Sequence, residues 1–467
     1  MVRRPRSTEV ASSAAAALAL LATCSTNRGA PATAEADAGV PVVVPAGTSN
    51  LDGGADGSQA WSAPPPPADA GSAKSCNGGH GADTRCGGVS GNESAPGTDD
   101  CCASLAVPGG SFLQFDDPAY PTTVSAFRLD AFEVTAGRFR AWVEATDGNL
   151  RGSAPAVGMG AHPKIPGSGW RAEWSSVLPT SRADVDSMLG PEQCQVGANL
   201  DDFGALTWWT PALQAKLSAS AADRPDILAA SSREALDEKP LVCVPWQVLF
   251  AFCVWDGGRL PTNAEFGFAA AGGAEQRDFP WGNLPDDQVA RIGEHENLSV
   301  VPLFTPGASF VVAALWDPAS GANVFPESYA FTWGGRYASP HDNALHIAPV
   351  GRRVAGRGKW GHSDLAGNVY EWMLDEGPIR PGPCVDCANV SWPSLSERDP
   401  SIPMPFPLQD FEDRWFVGGA RAIRGGAWDN ALGLANRQTK DEIATYTSYP
   451  LLRTYRSLGG RCARDMK

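Results

Sequence analysis

Two helices in tandem, each with its own start and stop signals, do most to constrain what this chain can fold into. The stretch is PWQVLFAFCVWDGGRLPTNAEFGFAAAGG, Pro245 to Gly273. Its first half predicts a helix from Pro245 to Gly257, with proline in the first turn and glycine past the end. Its second half predicts a helix from Pro261 to Gly273. There Thr262 caps the first turn and Glu265, three residues on, completes a capping box. Upstream, TAGRFRAWVE (Thr135–Glu144) predicts a third helix, with Thr135 as N-cap and Phe139, Trp142 and Val143 on one face. A strand is expected just before it, at Phe127–Phe132. Residues 151–239 are polar, irregular and dotted with Trp, and from Phe279 onward short aromatic runs alternate with Gly, Pro and Asn turns. With 51 Gly, 39 Pro and 16 Trp among 467 residues, the chain suits a loop-rich domain packed by aromatic side chains. No tandem repeat of about 20–50 residues is present.

The N-terminus has a different composition. Arg3, Arg4 and Arg6 precede an apolar run, Ala11–Ala22, in the order of an export signal. Leu21–Cys24 (LATC) resembles a bacterial lipobox, in which Cys24 would be lipidated. Thr23 departs from the small residue usual before that Cys, and ordinary secretion with cleavage a few residues on is the alternative. Residues 1–24 are thus expected to be a signal segment, and the Ala/Pro/Gly-rich residues 25–75 a disordered tether. Residues 76–104 crowd together Cys76, Cys86, Cys101 and Cys102. In an exported chain these read as a disulfide-stapled segment in which the adjacent Cys101 and Cys102 take different partners; a zinc site including His80 is the rival. The formal charge of −15 argues against nucleic-acid binding. After the leader no run of about 18 apolar residues appears, so contact with a membrane is expected only through the N-terminal anchor.

Several segments together resemble one family: FRLDAFEVTAGRFRAWV (Phe127–Val143), the helix pair, FPWGN (Phe279–Asn283), HSDLAGNVYEW (His362–Trp372), AIRGGAWDN (Ala422–Asn430) and GGRCARD (Gly459–Asp465). The family is the sulfatase-modifying factor domain, to which the formylglycine-generating enzyme belongs. The resemblance covers residues 105–467. It implies an α+β fold, a loop-rich variant of the C-type-lectin-like architecture, steadied by calcium and disulfides. It also implies an oxidase that converts a sulfatase cysteine to formylglycine with oxygen and one copper ion held by two cysteines.

The copper half of that expectation meets an obstacle. The family's two thiolate positions fall at Asn430 and Ala435, and no Cys occurs between Cys387 and Cys462. Copper(I) favours soft thiolates, which an amide and a methyl group do not supply. The resemblance assigns Cys253 and Cys462 to a disulfide. Cys194 and Cys243 then remain as a possible pair, while Cys384 and Cys387, in CVDC, form either a tight structural bridge or a redox pair.

The calcium half is carried by GHSDLAGNVYEW, Gly361–Trp372. Calcium takes six to eight oxygens from carboxylates and carbonyls. On the family pattern Asp364 and Glu371 give side-chain oxygens, and Gly367 and Val369 give carbonyls. The alternative is that Asp364 caps a turn and Glu371 pairs with an arginine. A second, weaker calcium site would use Asn297, the carbonyl of Leu298, Asp342 and the carbonyl of Ala344, with 299–340 read as an insertion.

Other chemistries lack their signatures: there is no HExxH and no GxSxG. His341 and His346 straddle a polar loop. Trp208, Trp209, Trp281, Trp333 and Trp360 either line a groove or belong to the core. The leading expectation is an exported, non-catalytic module of the periplasm or outer membrane surface. It would bind a peptide, protein or glycan in a Trp- and Gly-lined groove. The alternatives are a metal-dependent oxidase with other ligands in the same groove, and formylglycine formation itself.

Overall fold

A computed structural model describes residues 73–76, 85–89, 92–191, 193–194, 205–220, 228–229, 231–277, 280, 282, 298–300, 313–317, 322–324, 347–352, 354–376, 383–390, 420–427, 449–450 and 457–466. They fall within one compact unit, Ser62–Lys467. The strands are β1 (Arg85–Val89), β2 (Asn92–Asp100), β3 (Ser104–Val107), β4 (Gly110–Leu113), β5 (Pro121–Val124), β6 (Phe127–Asp130), β7 (Leu298–Val300), β8 (Ala313–Asp317), β9 (Ala322–Val324), β10 (Tyr370–Glu376), β11 (Cys384–Val385), β12 (Ala420–Arg424), β13 (Tyr449–Pro450), β14 (Leu458–Gly459) and β15 (Ala463–Asp465). The helices are α1 (Ala136–Ala145), α2 (Arg182–Met188), α3 (Pro211–Ser220), α4 (Arg233–Asp237), α5 (Trp246–Trp255) and α6 (Asn263–Ala270). This is a mixed, loop-rich α+β fold, as expected.

The three expected helices form: α1 and α6 start at their caps, and α5 starts directly after Pro245, which makes no side-chain cap bond. Thr135 accepts from the Arg138 N–H, and Thr262 and Glu265 close a reciprocal capping box. Residues Ala136–Val143 of α1 and Trp246–Cys253 of α5 are buried all round, so these are interior helices and not surface ones. Aromatic rings fill the space between them. Phe139 meets Trp142, Trp208 and Phe252 edge-on or tilted at 5.6–5.9 Å, and Trp174 meets Trp246 at 5.0 Å. Trp170 and Trp174, from the irregular stretch after α1, complete this core. That stretch, expected to be irregular, instead carries α2, α3 and α4 and forms the other wall of the core, although no periodicity in it says so.

The strands form small sheets. One has the order β15-β6-β3, a second β11-β5-β4, and a third β13-β12-β10-β14. The third has β10 at its centre, antiparallel to β12 and parallel to β14. All seven residues of β10 are buried, so its sequence shows no in–out alternation.

Five disulfides tie the unit together: Cys76–Cys102, Cys86–Cys101, Cys194–Cys243, Cys253–Cys462 and Cys384–Cys387. Adjacent Cys101 and Cys102 do take different partners. The Cys-rich segment is bonded into the domain. The Ser75 N–H donates to Asp256 at 2.8 Å, Arg138 donates to the Cys101 carbonyl, and β3 adds to the sheet of β6 and β15. Beneath it lies a buried ion cluster. Arg138 bridges Asp130 (3.0 Å) and Asp256 (2.6 Å), and Arg464 reaches the same two acids. No described helix is long and apolar enough to cross a membrane.

Candidate functional site

The turn at 361–369 runs into β10 and is shaped by four residues at positive φ. Gly361 (φ 91°) and Gly367 (φ 89°) adopt that region freely, and Asp364 (φ 56°) and Asn368 (φ 60°) adopt it because short polar side chains tolerate it. The Asn368 side chain fixes the turn from both ends of its amide. Its oxygen accepts from Ala348 N–H at 3.1 Å and its nitrogen donates to Glu133 at 2.8 Å. Gly367 N–H donates to the Gly425 carbonyl at 2.8 Å, joining the turn to the end of β12.

The two expected acids are buried here, and each meets a protein donor. Asp364 Oδ2 accepts from Gly351 N–H at 2.6 Å. Glu371 receives both sides of the Arg461 guanidinium, with Nε to Oε2 at 2.8 Å and Nη2 to Oε1 at 2.7 Å. Arg461 also donates to the carbonyls of Asp130, Ala131, Ser363 and Asp364 at 2.9–3.4 Å. One guanidinium thus joins the end of β6, the turn and β10. The pairing of Glu371 with an arginine, the alternative at the level of sequence, is present.

A third acid, Glu133, completes the group. Its oxygens accept from Asn368 and from Val369 N–H. Burial, then the neighbouring charges of Asp364 and Glu371, hold the Glu133 carboxyl well above the usual carboxylate range. Burial also raises Glu371, against the opposing charge of Arg461. Three carboxyls thus surround one guanidinium. Sequence reading missed Glu133. Its signal was a lone acid between Phe132 and Val134 ahead of the Thr135 cap, with no spacing relation to the turn.

Backbone oxygens of the turn are the kind of hard donor that a calcium ion would take. A Cβ at Gly425 would stand 3.6 Å from the Leu365 carbonyl oxygen and 3.7 Å from both the Val369 carbonyl oxygen and the Phe266 ring, so these two carbonyls border the same glycine. Carboxylate oxygens keep a second lone pair after accepting one N–H, so the acids retain acceptor capacity. Leu365 thus joins Val369 as a carbonyl beside Gly425. For the second expected site, Asn297, Asp342 and Ala344 lie outside the described residues, and Leu298 opens β7.

The residues present do not fit copper. Asn430 and Ala435 lie outside the described residues, and neither is a thiol. The five bridges take up ten of the eleven cysteines. The other, Cys24, is in the N-terminal segment outside the described residues. Of the groove candidates, Trp208 is in the core beneath Arg140, Trp209 packs partly buried against it, and Trp360 stacks on Phe268 at 5.4 Å. Trp281, Trp333 and His341 lie outside the described residues, as does His346.

The fold, with its capped helix pair, its buried β10 and the acid-lined turn, defines a sulfatase-modifying-factor-type domain. The chain belongs to the sulfatase-modifying factor enzyme 1-like domain family, whose model matches residues 92–301 and 316–466. The unmatched interval, 302–315, is shorter than the 299–340 insertion expected from sequence, and the match begins inside the Cys-rich segment. The formylglycine-generating enzyme of Streptomyces coelicolor is 25% identical over 77% of this chain and 88% of its own length. That of Thermomonospora curvata is 28% identical over 77% and 93%. A mouse protein named inactive C-alpha-formylglycine-generating enzyme 2 is 33% identical over 44% of this chain; the match spans only 62% of the mouse protein. PvdO from Pseudomonas aeruginosa aligns with 78% of this chain and 94% of its own at 17% identity, with a TM-score of 0.38.

Proposed function

We propose that this chain is a non-catalytic, calcium-stabilised binding module of the sulfatase-modifying factor family, exported and anchored through a lipid on Cys24. The observation that carries the first part is the composition of the copper position. Asn430 and Ala435 stand where two thiolates would be, and no Cys lies between Cys387 and Cys462. An oxidase of this kind needs a soft metal to bind oxygen next to the substrate thiol, and amide and methyl groups do not hold one. The inactive relative is consistent with a family that tolerates loss of chemistry while keeping its fold.

Calcium at the turn would be held by Asp364, Glu371 and the carbonyls of Gly367, Val369 and Leu365. Its role there is to neutralise buried acid and fix an irregular loop, which stabilises the fold by mass action. What remains for the domain is recognition of a peptide, protein or glycan in the groove that the family uses for its substrate.

One set of measurements tests this reading. The purified protein is incubated with copper(I) and a peptide containing Cys-x-Pro-x-Arg, and copper stoichiometry and aldehyde are quantified. The expected outcome is neither tight copper binding nor aldehyde. One equivalent of copper together with aldehyde would overturn it. In parallel, the melting midpoint should rise with millimolar calcium and fall with a chelator, and Asp364→Ala should abolish that response. An unchanged midpoint in the wild type would remove calcium from the reading.

A further inference from the structure

We propose that Cys384–Cys387 is an exchange-active disulfide that accepts electrons from a peptide or small-molecule dithiol. The bridge differs from the other four in exposure and in structural need. Seven of the other eight bridged cysteines are buried, whereas Cys384 and Cys387 are both half-buried, with Cys387 packed against the apolar cluster that holds Phe112 and Phe268. Val385, between them, is 70% exposed and presents an apolar side chain beside the sulfurs.

The bridge closes a separation of only 3 residues, so it removes little entropy from the unfolded chain. Nor is it needed to hold the segment. Asp386 N–H donates to the Thr123 carbonyl, and the Asp386 carboxylate accepts from the Ser125 N–H and hydroxyl at 2.6 and 2.7 Å. Asn389 N–H donates to Asp375, and Glu376 N–H donates to the Asn389 carbonyl. These bonds tie the loop to β5 and β10 without the sulfurs.

The sulfurs face a prepared donor. Gln114 is buried; its amide oxygen accepts from Asn263 Nδ2 at 3.2 Å, and its Nε2 donates one proton to Thr122 Oγ1 at 2.9 Å, which leaves the second proton for the sulfurs. Nε2 lies 3.8 Å from Cys387 Sγ and 4.0 Å from Cys384 Sγ, and Thr122 Oγ1 lies 3.5 Å from Cys384 Sγ. Cys384 therefore has two polar neighbours to one for Cys387, and the Thr122 hydroxyl, which donates to the Tyr120 carbonyl at 3.2 Å beside the intact bridge, can turn its proton to a Cys384 thiolate when the bridge opens. A stabilised thiolate leaves faster.

The reaction balances as follows. A thiolate of the dithiol attacks Cys387 Sγ, a new S–S bond forms, and the Cys384–Cys387 bond breaks with its electron pair on Cys384. The second thiol of the same donor, deprotonated, attacks the donor's own sulfur in that mixed disulfide and releases the Cys387 thiolate. The donor ends as a disulfide, and the two protons that it lost end on Cys384 and Cys387.

The test uses the mature protein under native conditions. It is exposed to reduced glutathione, quenched with acid and alkylated, and the modified cysteines are mapped by mass spectrometry. The expected result is glutathione on Cys387, then alkylation of Cys384 and Cys387 alone, with the other four bridges intact and the melting midpoint unchanged. A peptide with two cysteines should be oxidised one for one with the protein. Gln114→Met should slow exchange about tenfold through loss of the amide donor. If that variant fails to fold, the wild-type mapping still decides. Resistance of the bridge until denaturant is added, reduction of all five together, or glutathione on Cys384 would each overturn the proposal.

Discussion

At the scale of single residues, Arg461 carries the most. Its guanidinium satisfies Glu371 and four carbonyls while fully buried. Removing one partner of a buried pair leaves the other charge uncompensated, at a cost of about 3–5 kcal/mol. Arg461→Gln should therefore lower unfolding stability by that order in urea titrations at pH 7, and the loss should shrink at low pH, where Glu371 is protonated. Asp375 gives a separate handle on pH. Burial raises its carboxyl to about 6, against the N–H donors of Asn263 and Asn389; Glu265 raises it further and Arg421 lowers it. Its folded value exceeds the unfolded one, so its contribution is most favourable below about pH 4 and is lost as pH rises through 6. Relative to Asp375→Asn, the wild type should lose about 1.4 kcal/mol per pH unit between roughly pH 4 and 6 and be level outside that window. A flat difference across the window would show that Asp375 stays ionised.

At the scale of elements, α1, α5, α6 and the strand before α1 were legible, while α2, α3, α4 and the buried strand β10 were not, for a local reason. A cap is made within four residues: Thr135 with Arg138, and Thr262 with Glu265. Sequence therefore contains both donor and acceptor. The strand expected at Phe127–Phe132 is present as Phe127–Asp130, since its partners β3 and β15 supply the pairing. No pattern marks β10, because both of its faces are covered and its neighbours come from distant parts of the chain. Tyr370 pairs with Leu458, and Trp372 with Ile423. The turn before β10 was legible as a concentration of acid, Gly and Asn. That Asp364 accepts from Gly351 and Glu371 from Arg461 was not, because neither donor is near in sequence.

At the scale of the molecule, one bridge links the central helix to the C-terminal strands. Cys253 and Cys462 are 209 residues apart, and both are fully buried. Closing so long a loop removes much unfolded-chain entropy, so Cys253→Ala with Cys462→Ala should cost about 4 kcal/mol in denaturant titrations, compared with the oxidised wild type. A loss under about 1 kcal/mol would mean that the unfolded state is already constrained near this pair. The sequence alone determined the starts of the capped helices, the absence of any Cys between Cys387 and Cys462 and the abundance of cysteine, because each is a matter of which atoms are present or which neighbours are adjacent. Tertiary structure alone decided that Glu133, Asp364, Glu371 and Arg461 share one buried space. It also left the CVDC bridge at the surface beside Gln114. Burial and charge pairing depend on which distant segments meet, and no local spacing encodes that.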